Sequence, residues 1–190
     1  MFNIFKKDRK EKKVVVLGLD GVPHSLLTDY MERGLMPELS ELCKKGTLLK
    51  MKSTIPEVSS VAWSSFLTGK NPGEHGVFGF MELDRQSYDY TFTNFTSLKS
   101  PPLWEQKDVR TIALNIPQTY PARPLNGMMV SGFVALDLKK ASYPDRLFEY
   151  LSGIDYRIDV NARVAAEDPD AFFKDLFATF NKRKEAIEHL

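Results

Sequence analysis

The sequence has one cysteine among 190 residues, so it cannot form an internal disulfide. Cys43 lies at helical spacing from Leu39 and Leu42, which favours a small buried hydrophobic residue over a reactive thiol. No apolar run approaches the roughly 18 residues that a membrane-spanning helix needs. The chain also does not open with an apolar stretch followed by a small-residue cleavage site. We therefore expect a cytoplasmic protein with no membrane partner.

Neither sign of charge is in large excess. The formal net charge is +1, which argues against a dedicated nucleic-acid binder. Six basic and two acidic residues are concentrated in residues 6–13. We interpret residues 1–12 as a basic, solvated tail, an interpretation favoured over a membrane or polyanion contact. The remaining residues, 13–190, are mildly acidic and have the composition of a folded globular domain.

Histidine is scarce as well. The three histidines are His24, His75 and His189, and none is spaced i, i+4 from another. No His-rich metal cluster can be assembled from that spacing. His75 lies in the turn sequence PGEHG, where hydrogen bonding that stabilises the turn is favoured over metal ligation.

Short apolar runs alternate with helical patterns along the chain. Strands are predicted at residues 13–19, 47–52, 88–95 (as a strand or hairpin), 110–116, 128–133 and 156–160. Helices are predicted at residues 24–33, 37–45, 60–67, 103–107, 145–152 and from 169 onward. This alternation predicts an α/β fold in which helices cover both faces of a mostly parallel sheet.

The last predicted helix has an apolar stripe. Asp168 and Pro169 are a typical N-cap and first residue, and Phe173, Leu176, Phe177 and Phe180 follow at helical spacing. The stripe continues to the last residue without a glycine or proline stop. We expect its packing partner to lie beyond residue 190.

Asp20 follows the first predicted strand directly. The carboxyl end of a parallel strand is where open α/β sheets place their ligand sites, and a carboxylate there can hold a divalent cation. Asp20-Gly21 is also a strong turn-forming pair, and for this dipeptide alone the turn interpretation is favoured.

Ser59 lies at the start of the helix predicted at residues 60–67. A serine hydroxyl at such a point can act as a nucleophile when a base or a metal activates it, and a helix N-terminus favours an incoming phosphate. For the serine alone, simple capping of the helix by Ser59 or Ser60 is favoured. Asp20 and Ser59 together, both expected at the same edge of the sheet, point to a ligand site more strongly than either residue does separately.

Four segments carry a longer pattern: GLDG at residues 18–21, STIPEVSSVAWSSFLTGKNPGEHG at 53–76, LW at 103–104 and NIPQTYPARPLNGMMVSGF at 115–133. Together they resemble the type I phosphodiesterase/nucleotide pyrophosphatase family of the alkaline phosphatase superfamily, in particular its prokaryotic cytoplasmic branch. The resemblance implies a three-layer α/β/α fold with a mostly parallel sheet. It also implies hydrolysis of small-molecule phosphoesters through a covalent intermediate, with two metal ions that are generally zinc.

Carried over to this chain, the resemblance places the nucleophile at Ser59, where the family has threonine, and metal ligands at Asp20 and Ser59. Phe80 occupies the position at which the nucleotide pyrophosphatases have an asparagine that binds a phosphoryl oxygen, which argues against nucleotide substrates. The remaining Asp and His ligands come from a later part of the family's catalytic domain. The chain is therefore expected to be an N-terminal piece of such a domain, incomplete at its C-terminus.

Two alternatives remain open at this point. The chain can be a folded but catalytically inert domain, because one carboxylate and one hydroxyl undersupply a four-coordinate zinc ion. The full protein can also be another member of the superfamily, a phosphoglycerate mutase or a phosphonate hydrolase. A sulfatase is disfavoured, since its Ser/Cys-x-Pro-x-Arg signature would need proline at Val61 and arginine at Trp63.

Overall fold

The computed structural model describes residues 13–107 and 109–190. It divides the chain into two compact units, Met1–Met51 and Lys52–Leu190. The predicted basic tail, residues 1–12, lies outside the described residues. The prediction of one domain over residues 13–190 stays a prediction.

The first unit contains two helices whose ends follow local rules. Helix α1, His24–Glu32, comes directly after a proline and ends two residues before Gly34, whose φ is +71°. Helix α2, Pro37–Lys45, begins with proline at its first position and ends at Gly46. Proline suits the first helical turn because its missing N–H would have no intrahelical partner there. Both predicted helices are confirmed.

The two strands predicted in the first unit are wrong. Residues 13–19 and 47–52 form no strand, and Val15 and Leu17 are 91% and 82% exposed. A valine-rich run becomes a strand only when neighbouring backbone pairs with it. Within the part of the chain that the structure describes, no strand pairs with either segment.

The second unit contains the remaining elements. Its helices are α3 Ser59–Thr68, α4 Pro72–His75, α5 Leu103–Lys107, α6 Leu138–Ala141, α7 Asp145–Gly153, α8 Val164–Glu167 and α9 Pro169–His189. Its strands are β1 Met81–Leu83, β2 Tyr90–Phe92, β3 Thr111–Ile116, β4 Gly127–Ser131 and β5 Ser142–Tyr143. The predictions that overlap α3, α5, α7, α9, β2, β3 and β4 are confirmed. The strand predicted at residues 156–160 is not formed.

Two small sheets replace the single large one that was predicted. Strand β3 pairs in parallel with β4, and β4 pairs antiparallel with β5. Strands β1 and β2 form a separate antiparallel hairpin. The mixed α/β class is confirmed. The three-layer arrangement and the mostly parallel sheet are not confirmed, since only one of the three pairings among the described residues is parallel.

Strand β4 separates two clusters of buried side chains. Val130 packs in a cluster with residues of α7 and α9 that include Leu147 and Ala186. The neighbouring Met129 packs in a second cluster with Phe95. Successive side chains of a strand point to opposite faces, so this one strand contributes to both clusters.

Helix α9 starts as predicted, and much of its apolar stripe is exposed to solvent. Asp168 Oδ1 accepts a hydrogen bond from the Ala171 N–H at 2.9 Å, which is an N-cap bond. Thr179 and Ala186 are buried, whereas the stripe residues Phe173, Leu176, Phe177 and Phe180 are exposed. The last residue of the stripe, Leu190, packs against a buried cluster. That the stripe packs against a partner stays a prediction. None of the described helices is both long and apolar enough to cross a membrane.

Candidate active site

Ser59 is the first residue of helix α3. The N-cap position belongs to Val58, which is extended at φ −119° and ψ 136° and makes no side-chain capping bond. Neither Ser59 nor Ser60 therefore holds the N-cap position. The interpretation that one of these serines caps the helix is not confirmed. Ser59 is half-buried. The positive end of the helix dipole lies at this residue, where it stabilises an incoming anion.

One face of α3 is buried and largely polar. Ser64 Oγ donates to the Ser60 carbonyl at 2.6 Å, and Thr68 Oγ1 donates to the Ser64 carbonyl at 2.7 Å. These bonds to carbonyls four residues earlier satisfy hydroxyls that would otherwise be costly to bury. Ser60 Oγ is buried too, and it has no hydrogen-bond partner within the described residues.

The C-terminal end of α3 is tied to its surroundings. Gly69 adopts the left-handed conformation at φ +65° and donates its N–H to the Ser65 carbonyl at 2.8 Å, which ends the helix. Gln106 Nε2 donates both to the Thr68 carbonyl at 3.0 Å and to the Pro101 carbonyl at 2.7 Å. The end of α3 that is distant from Ser59 is therefore held by side chains from later in the chain.

Helix α4 returns the chain alongside α3 and places His75 beside Ser65. A capping box between Asn71 and Glu74 starts the short helix, with Pro72 at its first position. His75 is fully buried, and its Nε2 lies 2.9 Å from Ser65 Oγ. Its Nδ1 accepts the Val77 backbone N–H at 3.1 Å. The predicted turn-stabilising hydrogen bonding of His75 is confirmed.

These contacts assign the tautomer of His75. A backbone N–H can only donate, so Nδ1 carries no proton. The neutral ring then carries its proton on Nε2 and donates it to Ser65 Oγ. Burial lowers the pKa of His75, and the nearby Glu74 carboxylate opposes that shift. Because Nε2 is already protonated where it faces the hydroxyl, His75 and Ser65 are not arranged as a base and a nucleophile.

Asp20 lies in the first unit and forms a turn with Gly21, whose φ is +68°. Its side chain is exposed, and the strand that it was expected to follow is not formed. Ser59 belongs to the second unit, so the predicted pairing of Asp20 with Ser59 stays a prediction.

The described residues do not fit a two-zinc site. Across residues 13–107 and 109–190, no three His, Cys, Asp or Glu side chains are grouped so that they could hold a metal ion. A structural or catalytic zinc ion takes at least three protein ligands, whereas the sequence assigns here one carboxylate and one hydroxyl.

Phe80 packs against another aromatic ring. It is half-buried and meets Phe133 edge-on, with ring centroids 5.9 Å apart. Its carbonyl accepts the Thr93 N–H at 2.9 Å. A phenyl ring offers no hydrogen-bond donor, so Phe80 cannot replace an asparagine that binds a phosphoryl oxygen.

Sequence reasoning missed the partners of these groups. Ser65, which accepts from His75, and Gln106, which caps α3, were not singled out. Gln118 was also missed, although it is buried and donates to Thr93 Oγ1 at 2.8 Å. The available signal was Gly69 followed by the NPG turn, which predicts a reversal that brings the next residues back along α3.

Comparison with known protein families shows which family the chain is similar to. A family model described as type I phosphodiesterase / nucleotide pyrophosphatase matches residues 14–185, a range that contains Asp20, Ser59 and His75. Searches of curated proteins and of solved structures found no match.

Proposed function

The chain belongs to the type I phosphodiesterase/nucleotide pyrophosphatase family, whose members hydrolyse phosphoester bonds in small molecules, and we propose that Ser59 is its nucleophile. The observation that carries the proposal is the position of Ser59 as the first residue of α3 inside the matched range. A hydroxyl at a helix N-terminus meets a phosphoryl group where the backbone N–H groups favour negative charge.

The reaction has two steps. Ser59 Oγ attacks phosphorus and gives its proton to solvent, an Oγ–P bond forms, and the bond from phosphorus to the leaving alcohol oxygen breaks as that oxygen takes up a proton from solvent. Water then attacks phosphorus, the Oγ–P bond breaks, and the serine hydroxyl and a phosphate product are released. The first turn of α3 contributes its N-terminal dipole to both steps, because both transition states concentrate negative charge on the phosphoryl oxygens.

We propose that the activity depends on metal ions, and only membership of the family supports this. The family is generally metal-dependent. We propose, from the resemblance, that Asp20 and Ser59 contribute ligands to a two-zinc site, although the described residues gather no group that could complete it. When bound, such ions would supply charge that stabilises a serine alkoxide.

The test is hydrolysis of a chromogenic phosphodiester by the natural protein that contains this chain, with added zinc. Ser59→Ala is expected to reduce the rate to background, since alanine cannot form the covalent intermediate. Ser142→Ala is the control, because it removes one serine hydroxyl elsewhere in the second unit, where that hydroxyl donates to the Leu138 carbonyl at 2.7 Å. A Ser59→Ala protein that keeps the full rate would exclude Ser59 as the nucleophile.

The same assay tests the alternative of a folded but inert chain. The observation that favours this alternative is the absence of a metal-holding cluster among the described residues. Turnover by the natural protein and none by the 190-residue chain, with equal zinc, would support it. Turnover by the 190-residue chain would contradict it.

A further inference from the structure

We propose that His75 is a positioning residue for Ser59, which it orients by donating a hydrogen bond to Ser65 on the same helix. The inference rests on the proposed role of Ser59 as the nucleophile. His75 is fully buried, so it would act on Ser59 through the orientation of α3 and not through contact with the substrate.

Hydrogen bonds from several neighbours hold His75 in place. Its ring is fully buried, and Nδ1 accepts the Val77 N–H at 3.1 Å. Its carbonyl accepts the Lys99 N–H at 2.9 Å, and the carbonyl of the preceding Glu74 accepts from Ser100 Oγ at 3.0 Å. The His75 ring and the backbone around it are thus both held by hydrogen bonds. These bonds fix the direction in which the Nε2–H group points toward α3.

Ser65 is the point at which α3 meets this anchor. Its Oγ lies 2.9 Å from His75 Nε2, on the half-buried side of the helix. In the first turn, Ser60 and Val61 are fully buried, while Val58 holds the N-cap position without a side-chain capping bond. The bond from His75 to Ser65 therefore adds a directional constraint on α3 to the packing of its first turn.

The α-helix transmits this constraint to Ser59. Ser65 lies six positions after Ser59, which corresponds to about 9 Å along the helix axis. The intervening backbone is regular, and the N–H groups of Val61 and Ala62 both donate to the Val58 carbonyl at 3.0 and 2.9 Å. A small rotation of α3 at Ser65 therefore displaces the Ser59 hydroxyl, and displacements of about 1 Å can cost up to 100-fold in rate.

The test compares Ser65→Ala with Ser65→Thr in the natural protein, using the phosphodiester assay. Ser65→Ala removes the acceptor of the Nε2–H bond and is expected to lower kcat about tenfold with little change in KM, because substrate binding is intact and attack is misaligned. Ser65→Thr keeps a hydroxyl and is expected to restore most of kcat. The control is Ser142→Ala, which removes a similar hydrogen bond in the same unit without touching α3.

The outcomes separate the two proposals. Unchanged kcat in Ser65→Ala, with Ser59→Ala inactive, would overturn the positioning role alone. An equal loss of kcat in Ser142→Ala would also overturn it, since the effect would then be general destabilisation. Full activity in Ser59→Ala would instead remove the proposed nucleophile.

Hydrogen exchange gives a second readout that needs no substrate. In the 190-residue chain, Ser65→Ala is expected to speed exchange of the Val61 and Ala62 amides, and Ser142→Ala is not. Unchanged exchange at both amides in Ser65→Ala would contradict the coupling from Ser65 to the first turn of α3.

Discussion

Replacing His75 should separate the contributions of its two ring nitrogens to stability. His75→Ala removes both hydrogen bonds, whereas His75→Asn keeps a side-chain acceptor close to the position of Nδ1. Val77 is fully buried, so its N–H has no access to water when the acceptor is lost. The two variants therefore differ mainly in whether a buried backbone donor is left without a partner.

The magnitudes follow from these contacts. Loss of the bond to Ser65 costs about 1 kcal/mol, and the unpaired Val77 N–H costs about 1–3 kcal/mol more. His75→Ala is then expected to lower the free energy of unfolding by about 2–4 kcal/mol, and His75→Asn by about 1 kcal/mol. Lost packing around the buried ring adds to both losses, and it adds more for alanine, which is the smaller side chain.

The His75 ring should also make stability depend on pH. Burial lowers the pKa of His75 in the folded chain below its unfolded value of about 6.5. The unfolded state then binds more protons between the two pKa values, so stability rises with pH in that interval. The contribution is complete above pH 6.5 or so and is lost as pH falls below it. His75→Asn should lack this acid-side loss.

Urea unfolding followed by tryptophan fluorescence measures these effects. Both tryptophans, Trp63 and Trp104, belong to the second unit, so the signal reports the unit that contains His75. Measurement at pH 8 compares the variants with neutral histidine, and a series down to pH 5 reads the pH dependence. Equal destabilisation by alanine and asparagine, or an acid-side loss retained in His75→Asn, would refute the assigned hydrogen bonds.

Two further predictions concern the backbone. Gly127→Ala should cost at least about 3 kcal/mol, because a Cβ there would lie 1.9 Å from the Thr111 carbonyl oxygen and φ is +142°. The control is Gly153→Ala at the end of α7, where a Cβ would meet no atom of another element within 4 Å, so stability should be unchanged or slightly raised. Thermal unfolding compares the two variants, and equal losses of stability would contradict the clash at Gly127. Asp168→Ala should cost about 1 kcal/mol by removing the N-cap bond to the Ala171 N–H, whereas Asp168→Asn should keep most of it, as urea unfolding would show.

Local sequence rules predicted the longer helices, whereas the four-residue helices α4, α6 and α8 were not predicted. Proline and glycine bound α1 and α2 because their backbone preferences act within a few residues of the chain. The start of α9 was predicted for the same reason, since an aspartate followed by proline caps a helix without help from distant residues. The motif in residues 53–76 likewise predicted the family that the comparison then showed.

Strand formation was predicted less well because it depends on partners. The apolar runs at residues 13–19 and 47–52 have the composition of buried strands, yet they form none among the described residues. The runs that became β3 and β4 have no stronger local pattern, and they differ in having each other as neighbours. Hydrogen bonds between strands join residues far apart in sequence, so composition alone does not determine them.

The candidate site shows the same division. The sequence by itself determined a helix that starts near Ser59, ends at Gly69 and is followed by a turn containing proline and glycine, because each of these features is local. Only the tertiary structure decided that Val58 holds the N-cap position, and that His75 is buried with Nε2 facing Ser65. The protonation of a histidine depends on which groups surround both ring nitrogens, and those groups meet only when the chain has folded back on itself.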